Sequence, residues 1–420
     1  MPSAPHPSRW SRRAFLALGG GALLAATASS RVPPPEWDVA VVGAGPAGLA
    51  AASNLYEHGL RVVVLEARDR VGGQVFTDRS LAAVPVELGA GLIHGADAST
   101  WELVAETGAR TARMRSGWSE SPPLDLSRGP REDEDAAAYL RRLGVPRAQW
   151  PPVEIDGEPL ERWSARWVHD TGVFDWWSAP REDFRVPDGY DRLLEPLAAG
   201  PVVALDSPVR LVRRGPAGVE LGVAGRGRPV RARRCVLALP VGVLRSGSVR
   251  FEPALPAGHR DAVAALEATD AVKLVYRFDR PVLPADRDTL DGDGAVVWSV
   301  ARDPEAVSVW AAGDRARDLL ARERDDRFAE GLRALAAAVG GAVPDPVGRI
   351  THDWSGDEYS RGAYLHVPPG AHDAPAALGA PVDRTLFFAG EAVTGENTVD
   401  GAYDSGYAVS DDLLSDLRGG

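Results

Sequence analysis

Six residues constrain this 420-residue chain more than any others: Gly43-Ala44-Gly45-Pro46-Ala47-Gly48. Before them, Trp37-Asp38-Val39-Ala40-Val41-Val42 reads as a buried parallel strand, because its apolar run does not alternate with polar residues. After them come a helical pattern over Pro46–Glu57 and a second strand over Arg61–Leu65. Strand, glycine turn, helix and strand form a βαβ opening. Gly43 permits the tight turn, Gly45 lets a pyrophosphate approach the backbone, and Gly48, beside Ala47, lets helix and strand pack closely. The phosphates then sit at the helix N-terminus, where unpaired N–H groups and the helix dipole favour an anion. Glu66 ends the second strand, placed to bind ribose hydroxyls and to repel a 2′-phosphate.

An adenine dinucleotide follows from this order, but not yet which one. Glu66-Ala67-Arg68-Asp69-Arg70-Val71-Gly72-Gly73-Gln74 runs into a second glycine pair, where the backbone can approach something beyond the adenosine half. Near the other end of the chain lie Phe388-Ala389-Gly390-Glu391 and Thr398-Val399-Asp400-Gly401-Ala402. A strand ending in Gly-Glu beside a helix that begins near Val399 makes another cofactor-sized notch. A helix N-terminus there suits an anionic reduced flavin ring. FAD fits both notches better than NAD.

The fold expected is α/β with two interleaved domains. A Rossmann-like FAD-binding domain, a parallel sheet flanked by helices, takes 37–95, 201–262 and 381–420; a substrate domain with a mixed sheet and helices takes 96–200 and 263–380. Strand-like stretches recur at Val209–Val223, Pro229–Leu239, Ala271–Phe278, Ala295–Trp298 and Leu386–Ala389. Helical patches fall at Ala136–Leu143 and Tyr403–Leu417, and Arg315–Val339 is the clearest amphipathic helix.

With 45% hydrophobic and 25% charged residues the chain is an ordinary globular protein. Its net charge of −12 excludes a nucleic-acid binder and mildly favours a cationic small molecule. The single cysteine, Cys235, rules out an intrachain disulfide and reads as inert core. No His, Cys or acidic cluster has metal-ligand spacing; His352 with Asp353, and His366 with His372, do not make a set.

Ser11-Arg12-Arg13-Ala14-Phe15-Leu16 has the form of a twin-arginine export signal, followed by a short apolar stretch, Ala17–Ala28, and a small-x-small cleavage site at Ala26-Thr27-Ala28. Residues 1–36 are therefore expected to be signal and linker. The twin-arginine machinery would deliver a folded, cofactor-loaded chain to the periplasm or the medium, with no stable membrane insertion after cleavage. An uncleaved anchor is the alternative. Monomer and homodimer both remain open.

Of 47 basic residues 46 are arginine, and Lys273 is the one lysine. It lies in an apolar strand, Val272-Lys273-Leu274-Val275. Arginine is large, planar and always charged, whereas a buried lysine can titrate and present a single point donor.

In these segments the chain resembles the flavin-containing amine oxidase family, which includes monoamine and polyamine oxidases. The likeness runs from Asp38 to Leu414. It is carried by Asp38–Gly73, by Glu87-Leu88-Gly89-Ala90-Gly91-Leu92-Ile93-His94-Gly95, by Cys235–Leu244 and by Phe251–Pro256. Ala271–Leu274, Trp354–Tyr364 and Phe388–Gly406 complete it. The resemblance implies FAD, hydride transfer from the carbon next to nitrogen to flavin N5, and reoxidation by O₂ to hydrogen peroxide. It implies that Lys273 hydrogen-bonds through a water to N5, that Tyr364 flanks the substrate amine, and that Gly89, Ala90, Val209 and Trp354 join the cofactor contacts. His94 resembles the histidine of animal-type polyamine oxidases, and Trp298 is a further aromatic candidate.

There are departures. Gln74 stands where the family usually has arginine. Ala363 stands near the cysteine that carries flavin covalently in monoamine oxidases, so the FAD is expected to be non-covalent. Thr398 replaces the second flanking aromatic ring. These features lean toward a polyamine or a related primary or secondary amine. An L-amino-acid oxidase or other desaturase is an alternative, although no arginine stands out as a carboxylate clamp. A non-catalytic exported flavin-binding partner is a second. Glu102, Asp170 and Asp175 are acids that could hold a distant ammonium or simply face solvent.

Overall fold

The computed structural model describes residues 35–115, 124–150, 157–173, 182–292, 295–302 and 305–418. The twin-arginine and cleavage motifs lie outside them, as does Asp175.

Strand Trp37–Val42 pairs in parallel with Val62–Leu65 on one side and with Val230–Leu237 on the other. Val62–Leu65 pairs onward with Val202–Ala204, again in parallel. Leu386–Phe388 comes from the far end of the chain to pair in parallel with the second half of Val230–Leu237. The first half of that strand is taken by an antiparallel hairpin, Val209–Gly215 with Gly218–Val223, and Arg250–Glu252 closes that edge. This sheet thus draws on 37–65, 202–252 and 386–388, three stretches separated in sequence.

Both of its faces are covered, which explains the unbroken apolar run. Val39, Val41, Val62 and Val64 pack on the side of helix Pro46–Glu57; Ala40, Val42, Val63 and Leu65 face Ala136, Tyr139 and Trp163. The first helix begins with a proline, whose missing N–H costs nothing at that position. Against it lies the last helix, Val399–Arg418. Asn54 Nδ2 donates to Ser410 Oγ at 2.7 Å and to Asp411 Oδ1 at 2.9 Å, and a Cβ at Gly406 would stand 2.2 Å from the Ala47 carbonyl oxygen. The first and last helices of the described residues are locked together there.

A second sheet is built from 271–353 in the order Thr289–Gly292, Ala295–Arg302, Glu305–Ala312, Ala271–Arg277, Gly348–Asp353, and its pairings are antiparallel. Helix Arg324–Val339 covers it: Tyr276 donates its hydroxyl to the Phe328 carbonyl at 2.7 Å. The fold is α/β with two interleaved sheet systems, and the mixed pairing lies in the first of them.

The amphipathic stretch Arg315–Val339 is not one helix but two, Gly313–Leu320 and Arg324–Val339. Glu323 is extended between them, and Arg327 donates to the carbonyls of Leu319 and Leu320, closing the end of the first helix with a side chain of the second. The last helix starts at Val399, four residues before Tyr403, because the Thr398 hydroxyl accepts the Gly401 N–H at 3.1 Å and caps the first turn.

Candidate active site

One cavity of about 840 Å³ runs from the glycine turn to the second sheet. Every residue singled out above as catalytic or cofactor-binding lines it, except Gly72. Gly72 instead donates its N–H to the Ala44 carbonyl at 2.8 Å, fastening the second glycine turn onto the first. It is a brace.

The glycine turn admits no side chain at two points. A Cβ on Gly43 (φ +103°) would meet the Ala238 carbonyl oxygen at 2.4 Å, and one on Gly48 would meet the Gly43 carbonyl oxygen at 2.0 Å. Gly45 differs: its Cβ would meet only the Gly73 Cα, at 3.8 Å. The fold does not forbid a methyl group there, so glycine leaves a cradle at the helix N-terminus where a phosphate fits. Glu66 is 3% exposed, and its carboxylate accepts the N–H of Ala44 at 2.7 Å and of Arg68 at 2.9 Å. These residues fit the adenosine and pyrophosphate of a dinucleotide.

Arg68 reaches Asp357 Oδ1 at 2.9 Å and Ser360 Oγ at 2.8 Å, with Ala67 and Tyr359 beside it in the cavity wall. Burial opposes charge on Asp357, yet the hydrogen bond from His352 and the Arg68 guanidinium hold its carboxyl well below the usual carboxylate range. Arg70 donates to the carbonyls of Val71, Gly73 and Val75 and so holds the second glycine turn from behind; burial pulls its own pKa down to about 10.

Gln74 puts no charge into the cavity. Its Nε2 donates to the carbonyls of Gly362 and Ala363 at 3.1 and 2.9 Å, and its own carbonyl accepts the Ala90 N–H. A Cβ on Gly89 would stand 1.8 Å from that carbonyl. Trp354 is buried, with its indole N–H on the Leu88 carbonyl at 2.9 Å. Gly390 (φ +115°) donates its N–H to the buried Ser405 hydroxyl, which sets Glu391 at the start of a short helix. Thr398, Val399 and Ala402 form the N-terminal end of the last helix, and Val209 faces the cavity from the hairpin.

On the other wall stands Lys273, buried, its Nζ donating to the Gly89 carbonyl and lying 5.1 Å from the centre of the Trp298 ring. Burial lowers its pKa, and the nearby Glu87 carboxylate works against that shift; burial raises the pKa of Glu87 in turn. Tyr364 and Trp310 meet edge to face, ring centres 6.5 Å apart. His94 Nδ1 and Asp183 Oδ1 are 2.8 Å apart, and both residues line the cavity. Glu102 and the exposed Asp170, which pairs with His169, are not in the wall. Cys235 is buried in the first sheet with no disulfide, and no metal-binding group of residues occurs among the described residues.

Sequence reasoning missed Arg70, Glu87, Asp183 and Trp310. Arg70 carried a signal, standing two residues before the glycine pair. The others are placed only by strand pairing.

Fold and site together define a dinucleotide-binding flavoprotein of two-domain type. Residues 46–143 and 168–414 match the model of the flavin containing amine oxidoreductases, and the chain belongs to that family. FAD is the cofactor this membership implies. Among curated relatives, it is 27% identical to lysine-specific histone demethylase 1 homolog 3 of Arabidopsis thaliana, over 92% of this chain and 30% of that one. It is 26% identical to polyamine oxidase 4 of Oryza sativa subsp. japonica, over 94% and 91%. The chain spans about a third to a half of the length of the demethylases it matches. Among solved structures, a putrescine oxidase bound to putrescine superposes with TM-score 0.77 at 23% identity, covering 91% of this chain and all of that one. Cyclohexylamine oxidase from Brevibacterium oxydans IH-35A does so with TM-score 0.74 at 20% identity.

Proposed function

We propose that this protein is an FAD-dependent amine oxidase acting on a polyamine or a related primary or secondary amine. The observation that carries the reading is the chain's one lysine, buried in the cavity wall between the Gly89 carbonyl and the Trp298 ring. FAD held in this cavity would supply the hydride acceptor for the carbon next to the substrate nitrogen, with O₂ as the final oxidant giving H₂O₂ and water hydrolysing the imine.

The residues divide the remaining work. Tyr364, Trp310 and Trp298 make an aromatic chamber that excludes water and attracts an ammonium. Asp183, Asp291, Glu396 and Asp400 add carboxylates to the same cavity, which favours a cation. His94 takes the proton that the ammonium must lose. Lys273 supplies a point donor where O₂ is reduced and where water meets the imine. Ala363 offers no nucleophile, so the cofactor is held without a covalent bond.

An amino-acid oxidase would need an arginine available to a carboxylate. Arg68, Arg113 and Arg210 line the cavity, and each already has a carboxylate partner: Asp357, Glu182 and Glu358. A purely scaffolding flavoprotein has no use for a buried lysine at this place. The test is peroxide release and bleaching of the yellow protein against a panel of amines and amino acids. Putrescine or spermidine should bleach it and L-leucine should not; bleaching by L-leucine alone, or by nothing, overturns the reading.

Export through the twin-arginine pathway is part of the same proposal, resting on Ser11–Leu16 and Ala26–Ala28. Replacing Arg12 and Arg13 together by lysine should keep the protein in the cytoplasm; undiminished export would refute it.

A further inference from the structure

His94 and Asp183 face each other across two antiparallel strands, Leu92–His94 and Asp183–Arg185, as a register pair. Backbone and side-chain bonds hold both ends of the pair. Gly95 donates its N–H to the Glu182 carbonyl at 2.9 Å, its carbonyl accepts the Trp101 indole N–H at 2.9 Å, and the Asp183 carbonyl accepts the Met114 N–H at 2.8 Å. The imidazole and the carboxylate are both partly exposed, and both line the cavity.

An ionised carboxylate only accepts hydrogen bonds, so the 2.8 Å contact at Nδ1 puts the ring proton on Nδ1 and leaves Nε2 as the basic nitrogen. We propose that Asp183 is a positioning residue for amine oxidation: it fixes His94 as the Nδ1–H tautomer, so that Nε2 takes the proton from the substrate ammonium. The inference rests on the amine-oxidase reading of the cavity. In the step, an N–H bond of the ammonium breaks, an Nε2–H bond forms, and the nitrogen lone pair is freed to assist departure of hydride from the adjacent carbon. The imidazolium so formed lies against the Asp183 carboxylate and returns its proton to solvent. The charged groups around the pair are the Arg113–Glu182 ion pair on the neighbouring strands and Asp97 below Gly95, with Lys273, Asp291, Glu396 and Asp400 elsewhere in the cavity wall.

Two measurements on the FAD-loaded enzyme test this. The first is the histidine ¹⁵N spectrum at neutral pH, with His94 assigned by its loss in His94→Gln. The wild type should show the Nδ1–H tautomer, and Asp183→Asn should convert it to Nε2–H, because a carboxamide N–H can donate to Nδ1. The second is anaerobic reduction of the flavin by putrescine. Asp183→Asn should slow it by roughly 10²-fold at pH 7, in the range usual for a lost general base. The deficit should shrink to about threefold once the pH exceeds the amine's own pKa, since free amine needs no base. Asp183→Glu, which keeps the acceptor, should recover most of the rate. A wild-type His94 in the Nε2–H form, or an Asp183→Asn deficit equal at every pH, overturns the proposal. If no amine reduces the wild type, the amine-oxidase reading has failed, and the spectrum alone still decides the tautomer.

Discussion

Lys273 Nζ donates to the Gly89 carbonyl, joining the second sheet to the turn that closes over the second glycine pair. Its strand neighbours in register are Trp310 on one side and His352 on the other, so the ammonium leaves the middle of a sheet rather than a flexible edge. Gly89 is itself fixed, because its Cα lies too close to the Gln74 carbonyl for any side chain. A donor so held points to one place in the cavity.

Two glycine substitutions should separate folding from cofactor binding. Gly48→Ala drives a methyl group to 2.0 Å from the Gly43 carbonyl oxygen, a backbone atom that cannot yield cheaply. It should cost the apoprotein about 1–3 kcal/mol, seen in chemical denaturation. Gly45→Ala meets only ordinary contact at 3.8 Å and should leave apoprotein stability near wild type. FAD titration should nonetheless show at least a tenfold weaker affinity, because the methyl occupies the phosphate cradle.

Glu66 braces the turn as well as facing a ribose. Glu66→Ala strands the buried Ala44 N–H and the Arg68 N–H. The expected loss is roughly 1–3 kcal/mol for each orphaned donor, measurable in the absence of FAD. An apoprotein as stable as wild type would show that the carboxylate serves the ligand alone.

The lysine's low pKa gives stability a defined pH dependence. Its folded value is below its unfolded one, so between the two the unfolded chain binds more protons and stability rises with pH toward the ordinary lysine value of about 10.4. Lys273→Met should abolish that rise in denaturation midpoints. Glu87 opposes the shift, so Glu87→Gln should move the lysine's titration to lower pH. In the pH profile of flavin reoxidation by O₂, the decline with loss of the ammonium should move down by the same amount. A profile identical to wild type would remove Glu87 from the account.

How much of this was legible depended on the range of each interaction. Pro46–Glu57 and Ala136–Leu143 are the helices that local pattern marked, and Trp37–Val42 is the strand. The site residues also carried their own signals, as glycines spaced between a strand and a helix or as a lone lysine in an apolar run. Other features had none. Residues Ala321-Arg322-Glu323 are good helix formers, yet the helix breaks there, with Arg327 folded back onto the carbonyls of Leu319 and Leu320. Asp183 sits in an undistinguished Asp-Phe-Arg and acquires a role only when strand pairing sets it against His94. Gln74 stood out in the sequence only as a departure from the family's usual arginine, whereas the structure uses it to tie the second glycine turn to Gly362 and Ala363.

The sharpest test is a double-mixing stopped-flow experiment on Lys273→Met. The variant is reduced anaerobically by putrescine and then mixed with O₂. The amine should still bleach the flavin at a rate within about threefold of wild type, while reoxidation should slow by roughly 10²-fold, the scale of one lost proton-transfer group. Reoxidation at the wild-type rate would contradict the role given to the chain's one lysine, and with it the reading of the cavity.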